Sequence, residues 1–178
     1  MLPKTSRKFG ITHIMRSKKN AISVEVSRFT LDAPPCAGVV LGSMVKCEIR
    51  YEGGLHCGLK HEPSGATVAT DAPVDNRGKG ESFSPTDLMC AAMAACMETI
   101  MGIYAEDHGL DLKGSCITVG KIMSANPRRI ARIETEITVP LPADTPHKEA
   151  LIECVLGSPA MRSLHPDIEV PITWNWVG

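Results

Sequence analysis

The sequence predicts an α+β fold, and three observations carry that expectation. Residues 45–52 alternate strictly, with Val45, Cys47, Ile49 and Tyr51 on one face and Lys46, Glu48, Arg50 and Glu52 on the other, which is the period of a strand. Residues 84–108 form a long apolar stretch opened by helix-start residues. The elements then follow as hairpin, long helix, two strands, helix and strand, without the regular βαβ alternation of a parallel sheet.

Taken in order, residues 22–30 alternate (Ile22, Val24 and Val26 against Ser23, Glu25 and Ser27) and read as a strand, and Pro34-Pro35 interrupts the chain beyond it. Gly53-Gly54 is a hairpin signal after the 45–52 strand, and Leu55, Cys57 and Leu59 continue the apolar face on the return. Ala66–Thr70 reads as a third strand, and residues 71–83 as a polar loop rich in Gly, Pro and Asp. Ser84-Pro85-Thr86-Asp87 then starts a helix, with Ser as N-cap, Pro at the first helical position and an acid close to a capping box. The helix should run to about His108 and stop at Gly109, a length of roughly 36 Å. Leu88 through Met97 carries no charged or strongly polar side chain, so the helix reads as buried all round for almost three turns. Ala91, Ala92, Ala94 and Ala95 let neighbours approach closely, and so long a buried helix in so small a chain calls for a second subunit to cover it.

Strands are expected at 115–123 and 130–139, joined by a turn at Asn126-Pro127. In the second, Ile133, Thr135, Ile137 and Val139 oppose Arg132, Glu134 and Glu136. Thr145-Pro146 starts a helix reaching about Leu156, and Ser158-Pro159 restarts a short one ending near Leu164. His165-Pro166-Asp167 leads into a last strand at 168–177 that holds Trp174 and Trp176.

Composition bounds the function. The 178 residues are 43% hydrophobic and 22% charged, which is globular rather than disordered. No uncharged apolar run reaches bilayer length, so no membrane partner is expected. Aromatics at 4% supply a base-stacking surface poorly, so no nucleic-acid partner is expected either. The net charge of −1 hides an asymmetry: residues 1–30 hold seven bases against one acid, and the remainder holds twelve against nineteen. We therefore read residues 1–40 as a basic N-terminal extension with one strand, lying on the acidic body of its own or a partner subunit, and residues 41–178 as a single domain. No apolar signal core follows Met1. The seven cysteines are odd in number, irregularly spaced and without a CxxC pair, which points to a reducing cytoplasm.

Chemistry centres on Cys96, near the middle of the long helix, whose stripe by helical spacing holds Met89, Ala92, Ile100 and Ile103. A thiol in apolar surroundings keeps its proton, so a nucleophilic Cys96 needs a cation or hydrogen-bond donors from elsewhere. Met89, Met93, Met97 and Met101 recur every four residues, the mark of a core or dimer stripe. His56 and Cys57 point to opposite faces of a strand, so with His61 they make no metal site, and neither a metal nor another cofactor is expected. No phosphate loop or Ser-His-Asp arrangement is present.

Ser84–Leu112 (SPTDLMCAAMAACMETIMGIYAEDHGLDL) resembles the signature helix of the OsmC/Ohr family, the osmotically inducible and organic hydroperoxide resistance proteins, and Ser158–Trp174 (SPAMRSLHPDIEVPITW) resembles its second motif. The resemblance implies an intertwined homodimer with the long helices at its centre and two active sites at the subunit interface. It also implies reduction of organic hydroperoxides by a cysteine pair recycled by lipoyl-type dithiols or small thiols. The first family cysteine falls on Cys96, which would become a sulfenic acid. The second position holds Ser158, which cannot form a disulfide, so the implied cycle is a one-cysteine cycle closed by an external thiol or dithiol. Cys154 is a candidate substitute resolver, and Cys90, about 120° round the helix, is a poor one. Asp87 stands where the family places a glutamate, as a partner or only as a cap. The family arginine after the Gly-Gly turn is replaced by Leu55-His56, leaving Arg50, Arg77 or Arg162 to support the thiolate and Met93 to line the pocket. His165 is expected to hold its turn. The competing expectation is a non-catalytic relative that binds a small apolar ligand at the dimer interface or serves a structural role.

Overall fold

The computed structural model describes residues 13–17, 20–24 and 44–178, with side chains from residue 44 onward. Most of the basic arm (Lys4, Arg7, Lys8, Lys18, Lys19 and Arg28), Pro34-Pro35, Cys36 and residues 25–30 of the first expected strand lie outside the described residues. The chain forms two compact units, one of residues 28–89 and one of residues 1–27 with 90–178.

In the first unit, β3 (Cys47–Gly53), β4 (His56–His61) and β5 (Thr67–Asp71) make an antiparallel sheet in chain order. The β3–β4 pairing runs from Cys47↔His61 to Gly53↔His56, leaving Gly54 and Leu55 as the loop. Both have positive φ, +58° and +65°, the conformation of a type I′ turn, whose twist matches that of the strands. Glycine meets this demand freely, and Leu55 meets it against its own preference. Val45, Cys47, Ile49 and Tyr51 keep their expected period, but all are exposed, Tyr51 at 67%. After β5 the loop carries a short 3₁₀ turn at Val74–Asn76.

In the second unit, β1 (His13–Ser17), β2 (Asn20–Val24), β6 (Cys116–Ala125), β7 (Arg128–Val139) and β8 (Ile172–Trp176) form a five-stranded sheet in the order β2-β1-β8-β7-β6. β6 and β7 pair antiparallel over ten residue pairs, and β8 pairs parallel with both β7 and β1. The peptide between Asn126 and Pro127, at the β6–β7 turn, is cis. Helix α1 (Pro85–His108) begins in the first unit and enters the second at Cys90. Its Met93, Met97 and Met101 join Ile133, Ile137, Leu151, Ile172 and Trp174 in one buried cluster, so the methionine stripe is core from Met93 onward. Helices α2 (Lys148–Gly157) and α3 (Pro159–Arg162) follow, and α2 adds Leu151 and Val155 to the cluster.

On helix α1, Cys90, Met93, Ala94, Met97, Met101 and Ala105 face the core of the single chain, while Met89, Ala92 and Ile103 are exposed on it. The same helix is long and apolar enough, by length and composition, to cross a membrane, although Glu98 interrupts its uncharged run. Its buried Met93, Met97 and Met101 make it a core helix here. Two expectations need correction, the start of α2 and the extent of the last strand. Helix α2 begins at Lys148, three residues after Thr145, because residues 145–147 are taken up by turns closed on the Pro142 and Thr145 carbonyls. The last strand is shorter than 168–177, because Glu169 makes only an isolated bridge to Arg132 and Pro171 has no N–H to give the ladder.

Candidate active site

Helix α1 owes its start to Ser84. The Ser84 Oγ accepts from the Asp87 N–H at 3.2 Å, and Asp87 Oδ2 accepts from the Ser84 N–H at 2.9 Å, a reciprocal cap that satisfies two otherwise orphaned donors. Asp87 is thus engaged at the helix start, nine residues before Cys96. Gly109, in the left-handed region, ends the helix.

Cys96 is partly buried on the side of α1 that turns away from the core. Its stripe neighbours Met89 and Ile103 are 54% and 51% exposed. The thiol therefore stands on an open apolar face rather than within the packing. Among the described residues of its own unit, no hydrogen bond or ion pair reaches its sulfur. Met93, one turn before Cys96 and about 60° round the helix, is 1% exposed and packs in the unit's core.

Ser158 is the hinge between two helices and is fully buried. Its N–H donates to Val155 O at 3.2 Å, and its Oγ accepts from the Met161 N–H at 3.3 Å as the cap of α3. Cys154 lies one turn earlier on α2, partly buried. Burial, with a smaller contribution from the neighbouring Glu153 charge, pushes its thiol above the ordinary value. Cys154 is therefore expected to react with iodoacetamide at pH 7 more slowly than Cys96, which mass spectrometry of the alkylated peptides would show; faster labelling of Cys154 would contradict this environment.

Arg162, at the end of α3, is exposed, and its guanidinium lies over Gly157. Arg50 is exposed on β3 and paired with Glu48. Arg77 is exposed, with left-handed backbone, just after the 3₁₀ turn. His165 Nδ1 accepts from the Asp167 N–H at 3.2 Å, the turn-holding contact expected of it. No cluster of three or more metal-ligating side chains occurs among the described residues.

Several polar pairs escaped sequence reasoning. His56 Nδ1 donates to Asp71 Oδ1 at 2.5 Å, and Asp71 Oδ2 accepts from the Glu81 N–H at 2.9 Å. Asp71 is 3% exposed. The His56 hydrogen bond, followed by that of Glu81, holds its carboxyl below the ordinary 3.8. The antiparallel register sets His56 opposite Asp71, a pairing that no pattern in the sequence marks. A carboxyl whose folded value is depressed stabilises the protein above its unfolded value, and that stability is lost as pH falls through the folded one, here below about pH 4. Asp71→Asn is expected to flatten the fall of the urea midpoint in that range; an unchanged pH slope would contradict the assignment.

The comparisons with known proteins agree with this architecture. None of the curated proteins matches the chain. A family model described as OsmC-like protein matches residues 78–173. A structure from Psychrobacter arcticus 273-4, described as an osmotic stress induced and detoxification response protein, is 37% identical, with a TM-score of 0.71, over 77% of this chain and 100% of its own. The chain belongs to the OsmC-like family. More distant OsmC-like folds include the organic hydroperoxide resistance protein OsmC of Legionella pneumophila, at 16% identity over 75% of this chain and 97% of its own, with a TM-score of 0.61. Another, from Vibrio cholerae, is described as an organic hydroperoxide resistance protein with captopril bound in one of its active sites; it is 15% identical over 76% of this chain and 95% of its own, with a TM-score of 0.61. The OsmC-like match includes both Cys96 and Ser158.

Proposed function

We propose that this OsmC-like protein is a cytoplasmic, thiol-dependent peroxidase for organic hydroperoxides, working through Cys96 in a one-cysteine cycle. The observation that carries this reading is the place of Cys96, on an apolar helix face open to a solute, while Cys90, on the same helix, is sealed in the core at 2% exposure. In the first step the Cys96 thiolate attacks the terminal oxygen of ROOH. A sulfur–oxygen bond forms, the O–O bond breaks, and the alkoxide leaves and takes up a proton as ROH. The sulfur is oxidised to sulfenic acid. An external thiol then condenses with it, releasing water and forming a mixed disulfide, and a second thiol, or the other arm of a dithiol, returns Cys96 to the thiol.

Neither of the two positions considered for a resolver favours one, which supports an external thiol. Ser158 has no sulfur, and burial holds the Cys154 thiol protonated. A homodimer belongs to the same reading: the exposed apolar faces of α1 and of the 47–71 sheet are what a second copy would cover, and the cation that Cys96 lacks in its own unit would come to it from outside that unit. A second reading, a ligand-binding relative without turnover, is favoured by that same lack of a cation.

The test is sulfenic-acid trapping. The protein is treated with one equivalent of an alkyl hydroperoxide in the presence of dimedone, digested and mapped. A dimedone adduct on Cys96, lost in Cys96→Ser, supports the peroxidase. No adduct at excess hydroperoxide removes it in favour of the ligand-binding reading.

A further inference from the structure

The three-stranded sheet of the first unit carries polar side chains that the peroxidase reading does not use. Its register sets Arg50 opposite Gly58 and His56 opposite Asp71. Between Tyr51 and Gly53 the register of β3 shifts, so Glu52 is the extra residue of a bulge, a device that re-aims a side chain. The Glu52 carboxyl lies back over β4: a Cβ built on Gly58 would collide with its Oε1. A glycine in a strand interior weakens the strand, and what this one provides is the room that the carboxyl fills.

His56 is braced from the other side. Its Nδ1–H donates to buried Asp71, whose second oxygen accepts from the Glu81 N–H. Both oxygens are therefore engaged, and the ring cannot turn without losing a charge-assisted bond. With the proton on Nδ1, a neutral imidazole directs the lone pair of Nε2 outward. That nitrogen faces Glu52 Oε2 at 3.8 Å. The separation is too long for a hydrogen bond. A lone pair and a carboxylate oxygen so placed attract one another only through a cation between them. An ion about 2.0–2.1 Å from an imidazole nitrogen and about 2.0–2.2 Å from a carboxylate oxygen holds both at such a separation. A carboxylate on the second ring nitrogen is also what metal-bound histidines carry.

We infer that His56 Nε2 and Glu52 Oε2 bind a divalent metal ion of the zinc class, with Asp71 fixing the tautomer and orientation of the ring. One imidazole with one carboxylate suits zinc better than calcium or magnesium, which take oxygen ligands. The two side chains are 35% and 55% exposed, so an ion reaches them from solvent and water completes its shell. Arg50, on the same face, is paired with Glu48 and does not neutralise Glu52. Cys57, on the opposite face, takes no part. The site uses none of the chemistry of Cys96, and the inference stands or falls independently of the peroxidase reading.

The experiment is a titration of the full-length protein, carrying isotope-labelled histidine, with zinc chloride at about pH 7.5, where an ordinary imidazole is neutral. The ring-nitrogen resonances are followed, and His56→Ala identifies those of His56. Zinc taken up by thiols elsewhere leaves these resonances in place, which is why a resonance is read rather than a heat. A saturable shift of His56 Nε2 is expected. Glu52→Gln, a change on an exposed side chain, should weaken the response at least about tenfold, and Asp71→Asn should weaken it roughly 10–100-fold, the range for groups that orient metal-bound histidines. Gly58→Ala, which alters neither ligand, should weaken it as well by displacing the Glu52 carboxyl. A simple ion pair of His56 with Glu52 would respond to acid and not to zinc. No shift up to about 1 mM zinc, or a response unchanged in Glu52→Gln or in Asp71→Asn, overturns the inference.

Discussion

Cys96→Ser is expected to leave no consumption of alkyl hydroperoxide above the rate of the free reductant, a loss of at least about 100-fold, because the sulfur is both the nucleophile and the atom that carries the oxidation. The measurement is loss of cumene hydroperoxide in the presence of a dithiol, with Cys90→Ser and Cys154→Ser as companions. Those two should remain within about twofold of the parent protein. Cys90 faces the core at 2% exposure, and Cys154 keeps its proton because burial disfavours the thiolate. The contrast is informative because all three are thiols in one compact unit and differ mainly in what surrounds the sulfur. Ser158 sharpens it. A protein with a resolving cysteine would trap an internal disulfide after oxidation, whereas here the oxidised protein should hold a sulfenic acid or a mixed disulfide with the added thiol, visible as a mass increment. If Cys154→Ser were as inactive as Cys96→Ser, the one-cysteine cycle would be wrong and Cys154 would be the resolver.

Trp174→Ala should destabilise the protein by about 3–5 kcal/mol, the cost of emptying a large buried aromatic site. Trp174 is 1% exposed at the centre of β8 and belongs to the cluster that joins the sheet to α1 and α2. Its ring also stacks on Trp176, with centroids 5.5 Å apart and planes 12° from parallel, a contact that adds to the loss. For a chain of this size the corresponding fall in melting temperature is roughly 6–20 °C. Trp176→Ala, which removes a partly buried ring, should cost clearly less. Urea denaturation of both variants decides the matter, and equal losses would mean that the stacked pair, not the core position, carries the energy.

The secondary elements were readable wherever local chemistry alone decides them. Ser84-Pro85 and Gly109 bound α1 because a cap needs an oxygen acceptor, a first-turn proline gives up no bond, and a left-handed end needs glycine. Strand β7 was equally plain, since Ile133, Ile137 and Val139 recur at period two and each is fully buried. Reading failed where distant residues decide. Apolar period alone predicted that the side chains of Leu88–Met97 would be covered, but which of them are covered depends on what lies opposite each face. Among the described residues, the sheet packs on the Met93–Met97–Met101 side. The start of α2 moved to Lys148 because turns compete for residues 145–147, a competition that propensity at Thr145-Pro146 does not register.

The candidate site divides in the same way. Cys96 and Ser158 were identifiable from their motifs, and the absence of sulfur at 158 needed no coordinates. Asp87 could be read as cap or partner, and its reciprocal bonds with Ser84 place it at the helix start. The His56–Asp71 pair was illegible. Its members are separated by 15 residues, and nothing in either member's neighbours in sequence reports the other.

By itself, then, the order of residues determined the start and stop of α1, the strand periods, the family and the identity of the one sulfur on which the proposed chemistry depends, because each is a matter of side-chain type at short range. The tertiary structure alone decided which face of α1 is packed and which is open, which thiols are sealed, and where carboxyl groups meet their donors. Burial and electrostatic environment are properties of what the chain brings near from far away, and those set whether a given thiol or acid is inert or available.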